Sequence, residues 1–181
     1  EISQLLGNQS PQGARLHVSP ARRSTILGAS LLFCFIIQYV IAWIMLLYMD
    51  RLLGIEMLDY APWLALLMAV ATLCTIGLGL LIGILLKAKV DTKVGLAIGF
   101  STFMAFLAGM MSPAIRSSLL RTVPHLARLN PAELMADSLF AIYFFDRPER
   151  VLENSLIFGL IALVSLVAAG LLLRRQNYES I

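Results

Sequence analysis

The chain has 181 residues, of which 59% are hydrophobic and only 14% charged, with a formal net charge of +3. A soluble domain carries about 25% charged residues, so this deficit is typical of a membrane protein. The basic residues lie between apolar runs rather than in a cluster, which argues against nucleic-acid binding and is explained by membrane topology. Cys34 and Cys74 both fall inside apolar runs, and their number and spacing suggest neither a disulfide framework nor a metal site.

The first segment, residues 1–24, is polar and basic and is interrupted by Pro11, Gly13 and Pro20. The sequence begins with Glu1 and has no signal-peptide pattern, so we interpret the chain as the C-terminal part of a longer protein. The remainder, 25–181, is predicted to be an all-α membrane domain.

Four apolar runs follow, and they are close to the length of about 20 residues that a bilayer core requires. The second and third are joined by a basic turn, Lys87–Lys93, with glycine pairs on both sides. Glycines four residues apart let helix backbones approach closely, so we predict a packed hairpin, with dimerisation as the alternative. The predicted spans are 26–48, 63–86, 94–111 and 151–173, and the glycines are Gly79, Gly83, Gly95 and Gly99.

Uncharged polar residues inside the spans are candidates for a translocation path. The alternative is that they form hydrogen bonds between helices or back to their own helix. The spans hold no acid or base at mid-depth, which counts against ion-coupled carriers and intramembrane enzymes. The candidate path residues are Gln38, Thr72, Thr75, Ser101 and Thr102.

Two further helices are predicted between the third and fourth spans. In the first, 113–129, an apolar stripe opposes Arg116, Arg121 and Arg128, which suit lipid headgroups, an anionic ligand or a solvated surface. The second, 131–145, has a predicted N-cap, a proline at its first position and a glutamate at capping-box spacing. These three residues are Asn130, Pro131 and Glu133.

The second helix ends in an aromatic segment, Phe140–Phe145, which suits the headgroup level of a membrane. We therefore predict an amphipathic or re-entrant helical hairpin at one face of the bilayer. The short segments before the first span, between the second and third, and after the fourth are basic, which predicts that both termini are cytoplasmic and that the hairpin lies on the outer face.

Nothing in the chain matches the phosphate-binding loop G-x-x-x-x-G-K-[ST], so hydrolysis of ATP by that route would need another subunit. His17 and His125 lie on opposite faces in this topology, which makes a histidine-based site within one copy unfavourable. No catalytic residue, metal site or cofactor of its own is predicted for the chain.

The run FLAGMMSPAIRSSLLRTVPHLARLNPAELMADSLFAIYFFD, residues 106–146, followed by a last span ending in Leu-Arg-Arg, resembles the C-terminal half of a type-2 ABC-exporter permease. In that family a span ends in Leu-x-Gly-Met/Leu-Met, and an outer-face helical hairpin and the final span follow. The segment Ser10–Pro20 is similar to the cytoplasmic loop that precedes the third span of such permeases. The order of these features carries the resemblance, since no single motif is diagnostic.

The resemblance implies a permease subunit that exports lipids, drugs, peptides or polysaccharides from a bacterial cytoplasmic membrane, and not an enzyme. Its partners would be a second permease copy or homologous half and cytoplasmic ATPase subunits, which bind ATP and Mg²⁺. Residues 1–24 would be the coupling loop, with Arg15, Leu16 and His17 docking on an ATPase. A membrane assembly or immunity subunit is the alternative function, and a secondary carrier is a weaker one.

Overall fold

The computed structural model describes residues 23–86 and 88–178, and these residues form helices and short connections without a strand. The predicted coupling residues Arg15, Leu16 and His17 lie outside this described part. A single 3-10 turn, Leu58–Tyr60, precedes the second helix. The helices are α1 (Arg23–Leu53), α2 (Ala61–Leu85), α3 (Val90–Leu107), α4 (Pro113–Thr122), α5 (Pro124–Ala127), α6 (Pro131–Phe145) and α7 (Pro148–Tyr178).

Four stretches of helix are long and apolar enough to cross a membrane, which confirms the predicted all-α polytopic fold. They are Gly28–Leu53, Leu58–Leu85, Val90–Leu107 and Pro148–Leu173. The third begins four residues before its predicted start, and the first continues past its predicted end at residue 48.

The core of the protein is the contact between α2 and α7, which have by far the most extensive contact of any two helices. Leu64 and Leu67 of α2 and Val151 of α7 are completely buried in it. The closest approach is at Gly77, where an added Cβ would lie 2.8 Å from Ser165 Oγ and 3.4 Å from a backbone carbonyl of α7. We call this contact the seam, defined by Gly77, Ala162 and Ser165.

Three of the four glycines predicted to pack α2 against α3 do not form that contact within the chain. A Cβ added at Gly79, Gly95 or Gly99 would meet nothing within 4 Å, and α3 has no buried residue. At Gly83 the contact with α3 is a hydrogen bond, in which Lys93 Nζ donates to the backbone carbonyl over 2.8 Å. The reason is that α2 turns the face with Gly77 toward α7, while α3 packs against α6 and α4 as well as against α2.

The predicted helix 113–129 is divided into α4 and α5 at Val123, which has φ −141° and ψ 66°. Pro124 causes the division, because proline has no N–H to donate and disfavours the helical conformation of the residue before it. The next helix, α6, has the predicted bounds 131–145. It ends at Asp146, whose φ of 50° places it in the left-handed region that reverses the chain toward α7.

Candidate functional site at the α4–α6–α7 junction

A tight turn between α3 and α4 positions the first residue of the site. Gly109 has a φ of +80°, a conformation that favours glycine, and an added Cβ there would lie 2.6 Å from Arg116 Cβ. The absence of a side chain at Gly109 therefore lets the start of α4 fold closely over the end of α3. This brings Arg116 above the N-terminal half of α6.

Asn130 holds α6 in place from the other side, using both ends of its amide. Its Oδ1 accepts a hydrogen bond from the backbone N–H of Ala132 over 3.0 Å, which is the N-cap contact. Its Nδ2 donates over 2.8 Å to the carbonyl of Met104 near the end of α3. One buried side chain thus starts α6 and also fixes it against the third span.

Arg116 and Glu133 form the central ion pair of the site. Arg116 Nε lies 2.9 and 3.0 Å from the two carboxylate oxygens of Glu133, and Arg116 Nη2 lies 2.7 Å from Oε1. The Glu133 side chain is only 6% exposed and that of Arg116 25%. The guanidinium also lies over the Phe140 ring, 5.1 Å from its centroid, which adds a cation–π contact.

This arrangement corrects the predicted capping box, in which Glu133 reaches back to the N-terminus of its own helix. Glu133 faces Arg116 instead, and the backbone N–H of Asn130 donates to the carbonyl of Ala127 over 3.1 Å. A guanidinium of opposite charge is a stronger hydrogen-bond donor to the carboxylate than one backbone N–H. The Glu133 side chain therefore connects two helices rather than capping its own.

A second set of contacts connects α6 to α7. Asp137 Oδ2 accepts hydrogen bonds from Arg150 Nε over 2.9 Å and from Asn154 Nδ2 over 3.0 Å. The Asn154 amide also lies 2.9 Å from the hydroxyl of Ser138, which is fully buried and donates to a carbonyl of its own helix. Asp137 Oδ1 lies 3.7 Å from Arg116 Nη2, which joins the two sets into one network that we call the junction.

The electrostatics of the junction favour the charged forms of Asp137 and Arg116. Burial alone would raise the pKa of Asp137, but hydrogen bonds from Asn154 and Arg150 and the charges of both arginines hold that pKa below its ordinary value. The hydrogen bond to Glu133 raises the pKa of Arg116 against the opposing effect of burial. At neutral pH Asp137 is therefore an anion between two cations, and the junction has the arrangement of a structural clamp between α4, α6 and α7.

The candidate path residues are not brought together within the chain. Thr72 is buried in the core, whereas Gln38, Thr75, Ser101 and Thr102 lie exposed on three different helices. Each of the three hydroxyls with an observed partner donates to a carbonyl of its own helix: Thr72 to Met68, Thr75 to Ala71 and Ser101 to Ile98. Their geometry is that of hydroxyls satisfied within a helix, which was the alternative interpretation from the sequence.

The aromatic residues at the end of α6 are exposed on the single chain. Phe144 and Phe145 are 64% and 69% exposed, and Phe140 and Tyr143 are also on the surface. Among the described residues no group of His, Cys, Asp and Glu side chains is arranged to hold a metal ion.

Several residues of the junction were missed from the sequence. Arg150 and Asn154 had no predicted role, although both follow the helix start at Pro148 with a spacing of four that places them on one face of α7. Gly109 belongs to the Leu-x-Gly-Met-Met pattern, and its single glycine was a usable signal for a backbone turn. Gly77 gave no signal, because its neighbours in α2 are apolar on every side.

The fold and junction together define a class: an all-α, multi-pass membrane protein with a helical hairpin fastened to its last span. A family model described as ABC-2 family transporter protein matches residues 8–171. The chain therefore belongs to the ABC-2 transporter family and is a permease of an ABC transporter, a family that is generally not enzymatic and that works with ATPase subunits. Comparisons with curated proteins and with solved structures gave no match.

Proposed function

We propose that the chain is the membrane subunit of an ATP-driven exporter, in which a separate cytoplasmic ATPase supplies the energy. The proposal places both termini in the cytoplasm and the α4–α6 hairpin on the outer face of a bacterial cytoplasmic membrane. It is supported by the distribution of basic segments and by membership of the ABC-2 family.

The junction is the single observation that carries the mechanistic part of the proposal. Two ion pairs and an asparagine fasten α6 to α4 and to α7, so the hairpin and the last span move as one body. A conformational change that tilts α7 would then displace the outer hairpin as well. Motion generated by ATP on one side of the membrane would reach the other side without a chemical step in this subunit.

The coupling segment is proposed to be Arg15, Leu16 and His17, with Leu16 as the buried anchor in a groove of the ATPase. Apolar anchors contribute more to interface energy than rim charges do, and Arg15 would add a charge-assisted bond to an acidic residue of that groove. The alternative is that these basic residues only determine topology.

The decisive experiment purifies the chain with its partner ATPase, reconstitutes the complex in a bilayer and measures ATP-dependent export and ATP hydrolysis. Leu16→Asp leaves every positive charge in place, so we expect insertion to be normal while copurification and stimulated hydrolysis are lost. Unchanged hydrolysis with Leu16→Asp would refute the coupling assignment. Failure of the unaltered chain to copurify with any ATPase would refute the exporter proposal and favour an assembly or immunity subunit.

The same proposal includes a second permease copy or homologous half. The described helices α1 and α3 expose large apolar side chains along their length, among them Phe33, Ile37, Ile98 and Phe103. Gly95 and Gly99 lie on α3 with open space around them. These faces would meet lipid or the second half, and Gln38, Ser101 and Thr102 would line a substrate path only in such an assembly.

A further inference from the structure

A cleft of about 200 Å³ lies beside the junction, between the α4–α5 segment, α6 and α7. Its lining includes apolar side chains, namely Leu120, Leu134 and Ile157, together with charged groups. The volume is below the roughly 300–1,000 Å³ of sites for drug-sized ligands. The cleft therefore suits a small polar group attached to an apolar remainder, rather than a bulky transported molecule.

Most charges around the cleft are already neutralised. Glu133 is paired with Arg116, and Asp137 with Arg150 and Asn154. In the part of the chain that the structure describes, the two lining residues Arg128 and Glu153 form no ion pair and are exposed. A positive and a negative side chain thus remain available on the same cleft.

Arg150 adds a second source of hydrogen bonds on the positive side. Only its Nε is used by Asp137, and its side chain is 42% exposed. Guanidinium groups present several N–H donors in a plane that matches phosphate oxygens. Arg128 and the unused donors of Arg150 are therefore suited to one phosphate group.

The position of the cleft along α7 places it at the boundary of the bilayer. Glu153 is five residues after Pro148, about 8 Å along the helix at 1.5 Å per residue. The exposed aromatic residues at the end of α6, which favour the headgroup level, lie just before the same helix start. Arg150 and Glu153 are thus near the depth of lipid headgroups, and Ile157, one turn further along α7, lies toward the acyl chains.

We propose that this cleft binds the zwitterionic headgroup of an aminophospholipid of the phosphatidylethanolamine type. The lipid phosphate contacts Arg128 and Arg150, its primary ammonium donates hydrogen bonds to Glu153, and its glycerol and first acyl carbons contact Leu120 and Ile157. A choline headgroup has no N–H to donate to Glu153, and an anionic headgroup without an amine leaves Glu153 opposed to negative charge. The inference rests on the outer-face hairpin of the proposed function.

The test uses the purified full chain in nanodiscs of phosphatidylcholine with a graded fraction of phosphatidylethanolamine, and measures the unfolding temperature. We expect the unfolding temperature to rise and saturate with the phosphatidylethanolamine fraction, as it does for a ligand that binds only the folded state. No such rise is expected when phosphatidylglycerol replaces phosphatidylethanolamine. Equal rises with both lipids, or no rise with either, would overturn the proposal.

Matched variants distinguish lipid binding in the cleft from a general effect of the bulk lipid on stability. Arg128→Gln and Glu153→Gln each remove one proposed contact. We expect the phosphatidylethanolamine fraction that gives half of the maximal rise in unfolding temperature to increase at least about tenfold, because the loss of one good charged contact weakens binding by that much. Arg121→Gln and Glu149→Gln remove the same charges from exposed positions outside the cleft and should behave like the unaltered chain. An identical lipid response in all four variants would show that the cleft is not the site.

Soluble phosphoethanolamine and inorganic phosphate, added to phosphatidylcholine nanodiscs, distinguish the headgroup from a free anion. Protection by phosphoethanolamine alone supports the proposal, and equal protection by inorganic phosphate overturns it. Nanodiscs expose both leaflets and contain no ATPase, so a negative result here is independent of whether the subunit exports a substrate.

Discussion

The two ends of the contact surface of α7 are stabilised in opposite ways. At its start, α7 is held by charges: Arg150 and Asn154 bind Asp137, which is joined to Arg116 and Glu133. In its second half, at the seam, α7 is held by shape, because Gly77 leaves room for Ser165 and neighbouring backbone. The hydrophobic effect does not drive association between helices surrounded by lipid, so close packing has to stabilise the deeper contact.

The difference indicates in which part of α7 each kind of contact is energetically favourable. A partly exposed ion pair can keep part of its hydration, and the Arg116 side chain is 25% exposed. The same pair at the seam would be far more costly to desolvate. The junction therefore gives the hairpin a defined position, and the seam gives the two spans a close and dry contact.

The largest expected effect is the removal of one partner of the buried ion pair. Glu133→Ala leaves the guanidinium of Arg116 largely buried with only Asp137 nearby, and we expect the free energy of unfolding to fall by about 3 kcal/mol. This change in the free energy of unfolding is measured by chemical unfolding in detergent. Glu149→Ala removes an exposed carboxylate near the start of α7 and is the control, with an expected change below about 0.5 kcal/mol.

Replacing both partners sharpens this prediction. Arg116→Met combined with Glu133→Leu removes the charges without leaving one unpaired, so the double variant should be more stable than Glu133→Ala alone. If the double variant were the less stable of the two, the contacts of Arg116 with Asp137 and Phe140 would outweigh the cost of leaving its charge without Glu133. The penalty assigned here to the unpaired guanidinium would then be wrong.

The next effect tests the seam. Gly77→Leu forces a side chain against Ser165 and the backbone of α7, and overpacking of this kind costs about 1–3 kcal/mol. Gly79→Leu is the matched control two residues along the same helix, where an added Cβ meets nothing within 4 Å. Thermal unfolding should separate the two variants, and equal losses would mean that the α2 face bearing Gly79 also carries a close contact.

The same pair of glycines shows what the sequence could and could not predict. The number of spans and the start of α6 follow from local signals: runs of apolar residues, and Asn130 followed by Pro131. Which face of α2 meets α7 has no local signal, since apolar residues occur on every face of α2, and the spacing of Gly79 and Gly83 was interpreted as a contact with α3 or with a second copy. Which face of a largely apolar helix is buried is determined by the helices that it packs against.

The junction was unpredictable for a related reason. Arg116 and Glu133 are 17 residues apart and meet only because Gly109 permits a tight turn and Asn130 fastens α6 to α3. The sequence suggested instead that Glu133 caps its own helix, a local contact that loses to a charged partner brought near by the fold. Local patterns thus located the elements of the site, and tertiary contacts selected the partners.

A smaller effect is expected at Asn130, which contacts both α6 and α3. Asn130→Ala removes the N-cap and leaves the carbonyl of Met104 without its donor, so we expect a loss of about 1–2 kcal/mol. Asn130→Asp keeps an acceptor for the N-cap but cannot donate to Met104, and its free energy of unfolding should fall by less than that of the alanine variant. Equal losses in both variants would show that the cap contributes nothing beyond the bond to α3.

The smallest effect is the pH dependence of the junction, and its sign follows from Asp137. The pKa of Asp137 is lower in the folded protein than its ordinary value of 3.8, so the unfolded chain binds this proton more readily. The stabilisation is therefore complete above about pH 5 and is lost as the pH falls through the ordinary value toward the folded one.

Asp137→Asn has no such proton to bind. The difference in unfolding temperature between the unaltered chain and this variant should be constant from about pH 5 to pH 7 and shrink below about pH 4. Because the other acids are the same in both proteins, their titration largely cancels in that difference. A difference that widened on acidification would mean that burial, and not Arg150 and Asn154, controls the carboxylate, and that the α6–α7 half of the junction is not an ion pair in solution.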